Sequence, residues 1–182
     1  YHKQQLQFLG YHFNKKQWVL KAPVHLFFLK YLFKTYPDAR IVHLHRDPLE
    51  VIPSMASLVV ISRQIHSNHV NAEETGNQIL DWVRKIITNS IAFRDETDSD
   101  QFLDLAYTDL VKDPFNTLTQ IYKWLGVDIN NEIQSDISSW LKNSKRKRTG
   151  KAHHYSLEQF NLTETKIQNE FNHYYDRYED YI

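Results

Sequence analysis

Short apolar runs alternate with longer stretches of helical period along the chain. The runs at residues 18–20, 41–45 and 102–106 have the length and composition of buried strands. Each run precedes a segment in which apolar residues recur every three or four positions. Strands that alternate with helices form a parallel sheet flanked by helices, so the pattern predicts an α/β fold with residues 1–182 as a single domain. Because a sheet of three strands has exposed edges, we expect a further strand upstream of Tyr1.

Helix start signals follow the first two runs. Pro23 begins the nearly all-apolar segment 24–33, which predicts a helix buried on most sides. Asp47 and Pro48 supply a cap and a proline at the first helical position, and Glu50 stands three residues beyond the cap.

Further helices are predicted in the second half of the chain. Asp113 and Pro114 repeat the cap-and-proline start, and Gly126 ends that helical segment. Thr163 is expected to cap a C-terminal helix of residues 163–178. The other helical stripes are Ile79/Trp82/Val83/Ile86/Ile87/Ile91, Ile129/Ile133/Ile137/Trp140/Leu141 and Ile167/Phe171/Tyr174/Tyr175/Tyr178.

Charge is balanced overall but uneven along the chain. Lys and Arg number 22, as do Asp and Glu, which argues against bulk attraction to nucleic acid or membranes. Residues 142–151 nevertheless carry six cations and no acid, and residues 1–50 carry eight cations against three acids. Two separate basic regions favour convergence on an anionic ligand.

The chain has no cysteine and no apolar run that approaches the ~20 residues of a membrane span. Disulfides and thiolate chemistry are therefore excluded, and we expect a cytoplasmic location. Because the chain starts at Tyr1 and not at a methionine, we also expect that residues precede it, where a signal or anchor would lie.

Polar residues follow each predicted strand. Ligands of open parallel sheets bind beyond the carboxyl ends of the strands, where Lys21, Arg46 and Tyr107 stand. A cation at two strand ends, each beside a helix N-terminus, is typical of a phosphate or sulfate site. The alternative is that each cation is an ordinary solvated charge.

Arg46 and Ser54 are the more specific candidate pair for binding a phosphate. Arg46 offers a planar fork to a phosphate, and Ser54, about two turns along the next helix, adds a hydroxyl. Alternatively, Arg46 pairs with Asp47 or Glu50, and Ser54 is a small residue at a helix contact.

Four ordered segments resemble the nucleotide-dependent sulfotransferases, in particular the branch with many bacterial enzymes and the tyrosylprotein sulfotransferases. They are residues 18–25 (WVLKAPVH), 36–48 (YPDARIVHLHRDP), 107–126 (from YTDLVKDP to IYKWLG) and 153–162 (HHYSLEQFNL). The resemblance implies a fold of the phosphate-binding-loop type. It also implies transfer of a sulfuryl group from 3′-phosphoadenosine 5′-phosphosulfate to a hydroxyl or amine without a metal, the acceptor being a small molecule, a polypeptide or a glycan. A nucleoside-phosphate kinase and a degenerate, non-catalytic nucleotide-binding or interaction domain remain alternatives.

The resemblance also implies roles for single residues. Arg46 and Ser54 match the pair that holds the 3′-phosphate, and Lys21 matches the lysine that stabilises charge on the transferring group. Tyr107 stands where the family places a residue near the adenine, although a core tyrosine is the alternative. His25 is a candidate to deprotonate the acceptor, with helix packing as the alternative.

The basic stretch of residues 142–155 corresponds to the loop that closes over the nucleotide in this family. Arg146, Arg148 and Lys151 are its candidate ligands, and a solvated turn is the alternative. The family's Gly-, Ser- and Thr-rich phosphosulfate loop has no counterpart before Trp18. We therefore expect that the chain represents about the C-terminal two thirds of such a domain and is inactive alone.

Ten histidines raise the question of a metal site. His43 and His45 share a strand face, and residues 153–154 offer two more imidazoles. No carboxylate stands at ligand spacing in the sequence, so strand histidines bonded to the backbone are predicted and a metal is not.

Overall fold

The computed structural model describes residues 1–12, 17–97, 100–147 and 155–182, the side chains of residues 144–147 excepted. In chain order the helices and strands are α1 (His2–Gly10), α2 (Leu29–Thr35), β1 (Ile41–His45), α3 (Pro48–Gln64), α4 (Ala72–Glu96), β2 (Phe102–Ala106), α5 (Tyr107–Lys112), α6 (Pro114–Leu125), α7 (Asn131–Lys147), α8 (Glu164–Glu170) and α9 (Asn172–Tyr178). Short 3₁₀ helices cover Pro23–Phe28, Glu158–Phe160 and Glu179–Tyr181. None of the helices in the described ranges has the length and apolarity needed to cross a membrane.

The chain divides into two compact units. The first comprises Tyr1–Ala39 and Ile86–Asp98, and the second comprises Arg40–Lys85 and Ser99–Ile182. α4 begins in the second unit and ends in the first. The prediction of one domain over residues 1–182 stays a prediction.

The first unit departs from two expectations. Residues 18–20 are not a strand, and Val19 is 91% exposed. A lone extended segment has no ladder of hydrogen bonds to hold it, and the sheet of the described residues has only β1 and β2. The predicted buried helix at 24–33 is wrong as well, because a 3₁₀ turn leads into the short α2 and only Leu29 in it is buried.

The second unit contains a two-stranded parallel sheet. β1 and β2 have the predicted bounds and pair in register, with His43 opposite Asp104 and His45 opposite Ala106. The chain thus has the predicted α/β architecture of a small parallel sheet flanked by helices.

The predicted helix caps form. The Asp47 carboxylate accepts the Leu49 N–H at 2.8 Å at the start of α3, and Asp113 accepts the Asn116 N–H at 3.1 Å at the start of α6. Gly126 adopts φ +71° and ends α6, as a left-handed residue at that position does.

The C-terminal segment forms two helices where one was predicted. Thr163 caps α8 by accepting the Lys166 N–H at 3.2 Å, but the helix breaks at Phe171, which has φ −115° and ψ 15°. Phe171 and Ile167 are both fully buried. The break therefore lies where the segment is anchored in the core, and α9 begins directly after it.

Candidate functional site

Arg46 is the first residue after β1, and its side chain has two contacts. Its Nε donates to the Glu50 carboxylate at 2.7 Å, one turn along α3. Its guanidinium lies over the Tyr107 ring at 4.8 Å, a distance typical of a cation–π contact. The Glu50 hydrogen bond raises the pKa of Arg46, so the group is a permanent cation. About a third of the side chain stays exposed, which leaves access for an anion.

Tyr107 reaches Arg46 because of the sheet topology. It follows β2 directly and begins α5. Since β1 and β2 are parallel neighbours, their carboxyl ends meet at one edge of the sheet, and the residues after them are brought together. Arg46 and Tyr107 are therefore neighbours.

Ser54 lies on α3, where residues four positions apart are neighbours on one helix face. Glu50 and Ser54 have this spacing, so Ser54 follows Glu50 along the face that Arg46 reaches. It is half-buried. The alternative in which Arg46 pairs with Glu50 is present, and the convergence of Arg46 and Ser54 on one phosphate stays a prediction.

Lys21 and His25 belong to the first unit, whereas Arg46, Ser54 and Tyr107 belong to the second. Lys21 is exposed and lies before the 3₁₀ turn that contains the half-buried His25. Burial, and then the charge of His2, lowers the pKa of His25. The grouping of these two residues with Arg46 stays a prediction.

The basic stretch at 142–155 is only in part a loop. α7 runs to Lys147, so residues 142–147 are helical and the prediction of a loop there is wrong. The apolar stripe of this segment continues to Leu141, which carries the helix into the basic stretch. Arg146 lies on α7 within the range whose side chains are not described, and Arg148 and Lys151 lie outside the described residues.

A buried network that sequence reasoning missed lies beneath the end of β1. His45 is fully buried, with Nε2 2.7 Å from Asp104 Oδ1 and Nδ1 3.0 Å from the Tyr174 hydroxyl. Its ring also packs against Tyr178, at 4.1 Å between centroids. The expectation that these histidines have no carboxylate at ligand spacing was wrong, because strand register brings Asp104 opposite His43. The signal was present as a single acid inside the apolar run 102–106.

The same network is the place where a metal would be sought. His43 Nδ1, His45 Nε2 and Asp104 Oδ1 all lie within 4.8 Å of one another. Both ring nitrogens of His45, however, have hydrogen-bond partners already, and an ion would have to displace the shorter of those bonds. The arrangement is that of a hydrogen-bonded buried imidazole, and the prediction of a protein without a metal stays a prediction.

A cavity of about 450 Å³ lies at the far end of α3, where Arg63, His66 and His69 are among its lining residues. α3 has 17 residues and is therefore about 25 Å long, which separates this cavity from Arg46. Arg63 already donates to Thr75 at 2.9 Å and to Gln78 at 2.8 Å. The cavity is thus not part of the site at the strand ends.

Comparison with known proteins agrees with this fold. Residues 1–131 match the sulfotransferase family, and the chain belongs to that family. It is 30% identical over 119 residues to the omega-hydroxy-beta-dihydromenaquinone-9 sulfotransferase Stf3 of Mycobacterium bovis and of Mycobacterium tuberculosis. That alignment covers 63% of this chain and 30% of each relative.

Two solved structures are also similar. Sulfotransferase STF9 from Mycobacterium avium has a TM-score of 0.80 at 25% identity, over 90% of this chain and 42% of that one. Sulfotransferase STF1 from Mycobacterium tuberculosis has a TM-score of 0.76 at 31% identity, over 93% of this chain and 43% of that one. The chain thus spans less than half the length of these relatives.

Proposed function

We propose that this chain forms the 3′-phosphate side of the donor site in a sulfotransferase that uses 3′-phosphoadenosine 5′-phosphosulfate. The observation that carries the proposal is the Arg46 guanidinium at the end of β1, beside the start of α3 and 4.8 Å from the Tyr107 ring. A guanidinium binds phosphate through paired N–H groups, and the start of a helix favours negative charge. Family membership supports the identity of the donor.

Other residues complete the proposed donor site. The Ser54 hydroxyl adds a donor to the 3′-phosphate, and Tyr107 lies near the adenine. Arg146, Arg148 and Lys151 are proposed to close over the nucleotide. These roles rest on the resemblance of residues 36–54, 107–114 and 142–162 to the family.

The proposed reaction is an in-line displacement at sulfur. The acceptor oxygen or nitrogen forms a bond to sulfur while the bond between sulfur and the nucleotide oxygen breaks, which releases adenosine 3′,5′-bisphosphate. Lys21 would stabilise the charge that grows on the leaving oxygen, and His25 would take the acceptor proton. The lowered pKa of His25 supports this role, since the neutral ring is the form that accepts a proton. Cationic side chains neutralise the developing charge, so the proposed reaction requires no metal ion.

The acceptor class is a proposal by similarity. The curated relatives are named for an omega-hydroxy compound, which favours a hydroxyl as the acceptor group.

Nucleotide titration of the full 182-residue chain by calorimetry tests the donor site. We expect adenosine 3′,5′-bisphosphate to bind more tightly than adenosine 5′-phosphate and ATP. Arg46→Ala should remove most of that preference, on the order of tenfold or more, since a hydrogen bond to a charged group contributes about 1.5–3 kcal/mol. Arg40→Ala is the matched control, because Arg40 donates to the Trp124 carbonyl and packs on the Trp124 ring in the same unit.

Three results would reject the proposal. They are equal affinity for the two adenosine phosphates, a preference that Arg46→Ala leaves intact, and tighter binding of ATP, which would instead favour a nucleoside-phosphate kinase.

A further inference from the structure

The two residues that flank Arg46 in the chain are held from the C-terminal helix. On one side is His45, whose Nδ1 lies 3.0 Å from the Tyr174 hydroxyl on α9. His45 belongs to the last residue pair of the sheet, opposite Ala106, so Arg46 is the first residue beyond that pairing. A buried imidazole nitrogen needs a hydrogen-bond partner, and the Tyr174 hydroxyl supplies it.

The proton positions in this network follow from chemistry. Asp104 is a carboxylate that accepts, so the His45 Nε2 at 2.7 Å must donate to it. In a neutral imidazole Nδ1 then accepts, and the Tyr174 hydroxyl donates to it. Burial raises the pKa of Tyr174 well above its usual value, which keeps that proton in place. The chain of bonds therefore runs from Tyr174 on α9 through His45 to Asp104 on β2.

Tyr175, the next residue of α9, holds the residue on the other side of Arg46. Its hydroxyl donates to Asp47 Oδ1 at 2.7 Å. The same Oδ1 accepts the Leu49 N–H at 2.8 Å, which is the cap of α3. Burial, and then this hydrogen bond, raises the pKa of Tyr175, so the hydroxyl stays a donor. Tyr175 thereby restrains the carboxylate that starts the helix carrying Glu50 and Ser54.

We propose that Tyr174 and Tyr175 are positioning residues for the donor site, which together hold Arg46 and the start of α3 in the geometry that grips a 3′-phosphate. The inference rests on the proposed function of Arg46. Neither hydroxyl is assigned a contact with the nucleotide; each acts on a residue next to Arg46, Tyr174 on His45 and Tyr175 on Asp47. Pre-positioning of this kind lowers the entropic cost of binding, and its loss weakens a ligand that depends on Arg46.

Tyr175→Phe is the variant of choice, because Tyr175 is half-buried whereas loss of the Tyr174 hydroxyl would leave Nδ1 of the fully buried His45 without its partner. In the full chain we expect the affinity for adenosine 3′,5′-bisphosphate to fall about threefold to tenfold, the scale of one hydrogen bond. The affinity for adenosine 5′-phosphate, which lacks the 3′-phosphate, should stay unchanged. The ratio of the two nucleotide affinities would not change if Tyr175 affected only the stability of the fold.

Tyr181→Phe is the matched control. Its ring packs on His45 at 5.3 Å in the same C-terminal segment, and its hydroxyl has no hydrogen bond to another described residue. It should leave both affinities unchanged.

Each outcome separates the two hypotheses. If Arg46→Ala removes the preference for the bisphosphate and Tyr175→Phe does not reduce it, the positioning role is overturned while the proposed function stands. A Tyr175→Phe variant that loses affinity for both nucleotides equally would also overturn it. If the wild-type chain shows no preference, the proposed function fails and the positioning role fails with it.

Discussion

At the scale of single residues, the Arg46 side chain is paired with a carboxylate of the same chain. Glu50 accepts its Nε–H at 2.7 Å, in a pair whose side chains are 34% and 59% exposed. An exposed pair of this kind contributes about 1 kcal/mol or less. A phosphate that binds Arg46 must compete with Glu50, so the carboxylate is expected to reduce nucleotide affinity.

Glu50→Gln should therefore raise the affinity for adenosine 3′,5′-bisphosphate by up to about fivefold, the equivalent of about 1 kcal/mol. The gain should shrink at high salt, because exposed charges are screened. Titration calorimetry at low and high salt measures both effects. Glu132→Gln removes the same charge from the first turn of α7 and should leave the affinity unchanged. Weaker binding by Glu50→Gln would show instead that Glu50 orients Arg46 for its ligand.

The pKa of His25 can be tested directly. Its pKa is lowered mainly by burial and secondarily by His2, whose ring lies 6.2 Å away. An NMR titration of the imidazole protons should give a midpoint for His25 below the usual value of about 6.5. His2→Asn should raise that midpoint part of the way back, because it removes only the smaller cause. A midpoint that is lower in His2→Asn than in the wild type would contradict the assigned cause.

The lowered pKa of His25 also makes the free energy of unfolding depend on pH. Because the folded state binds the His25 proton less tightly than the unfolded state, the free energy of unfolding should decrease as the pH falls below about 6.5. His25→Gln should reduce this loss between pH 7.5 and 5.

At the scale of elements, glycine is required at two positions for different structural reasons. Gly126 has φ +71° and open space around its Cα, so it is required by its backbone conformation alone. Gly76 lies inside α4, and a Cβ there would meet the Phe160 Cβ at 2.5 Å. Phe160 is 2% exposed, so it has little room to move. Gly76 is therefore required by close packing between α4 and the 3₁₀ helix Glu158–Phe160.

Gly76→Ala and Gly126→Ala should both destabilise the chain in urea unfolding. For Gly76→Ala the gain in helix propensity is about 1 kcal/mol, whereas overpacking costs about 1–3 kcal/mol, so the clash decides the sign. For Gly126→Ala we expect about 1 kcal/mol from the left-handed backbone alone. In a Phe160→Ala background Gly76→Ala should become neutral or stabilising, while Gly126→Ala should keep its full effect. Equal effects of Gly76→Ala in both backgrounds would exclude the clash as the cause.

At the scale of the whole molecule, the chain spans 42% and 43% of the sulfotransferases whose structures it resembles. A Gly-, Ser- and Thr-rich loop that would cradle the 5′-phosphosulfate is not recognisable before Trp18. Under the proposed function, the 3′-phosphate side of the donor site lies in this chain, whereas its sequence offers no recognisable cradle for the 5′-phosphosulfate.

The 182-residue chain should accordingly bind adenosine 3′,5′-bisphosphate but transfer no sulfate from the phosphosulfate donor to a hydroxyl acceptor. A transfer assay with radiolabelled donor, run beside nucleotide titration on the same sample, measures both. The titration is the control that the sample is folded. Measurable transfer by this chain would show that the reaction site has been assigned to the wrong residues.

Local patterns of the sequence determined β1, β2 and the caps at Asp47, Asp113 and Gly126. The caps depend on neighbours within a few residues, so the sequence carries them completely. The bounds of β1 and β2 were predicted correctly, and each strand finds its partner in the other. The same patterns misassigned the predicted strand at 18–20 and the buried helix at 24–33. Strand formation requires a paired neighbour and helix burial requires a covering layer, and neither is encoded in the segment itself.

Only the tertiary structure decided which residues surround Arg46. Parallel pairing of β1 and β2 brought Tyr107 under its guanidinium and Asp104 against His45, although Asp104 and His45 are 59 positions apart. Two tyrosines of α9 bond to the residues on either side of Arg46, Tyr174 to His45 from 129 positions away and Tyr175 to Asp47 from 128. Contacts between such distant residues depend on strand register and helix packing, which a single sequence read segment by segment does not specify.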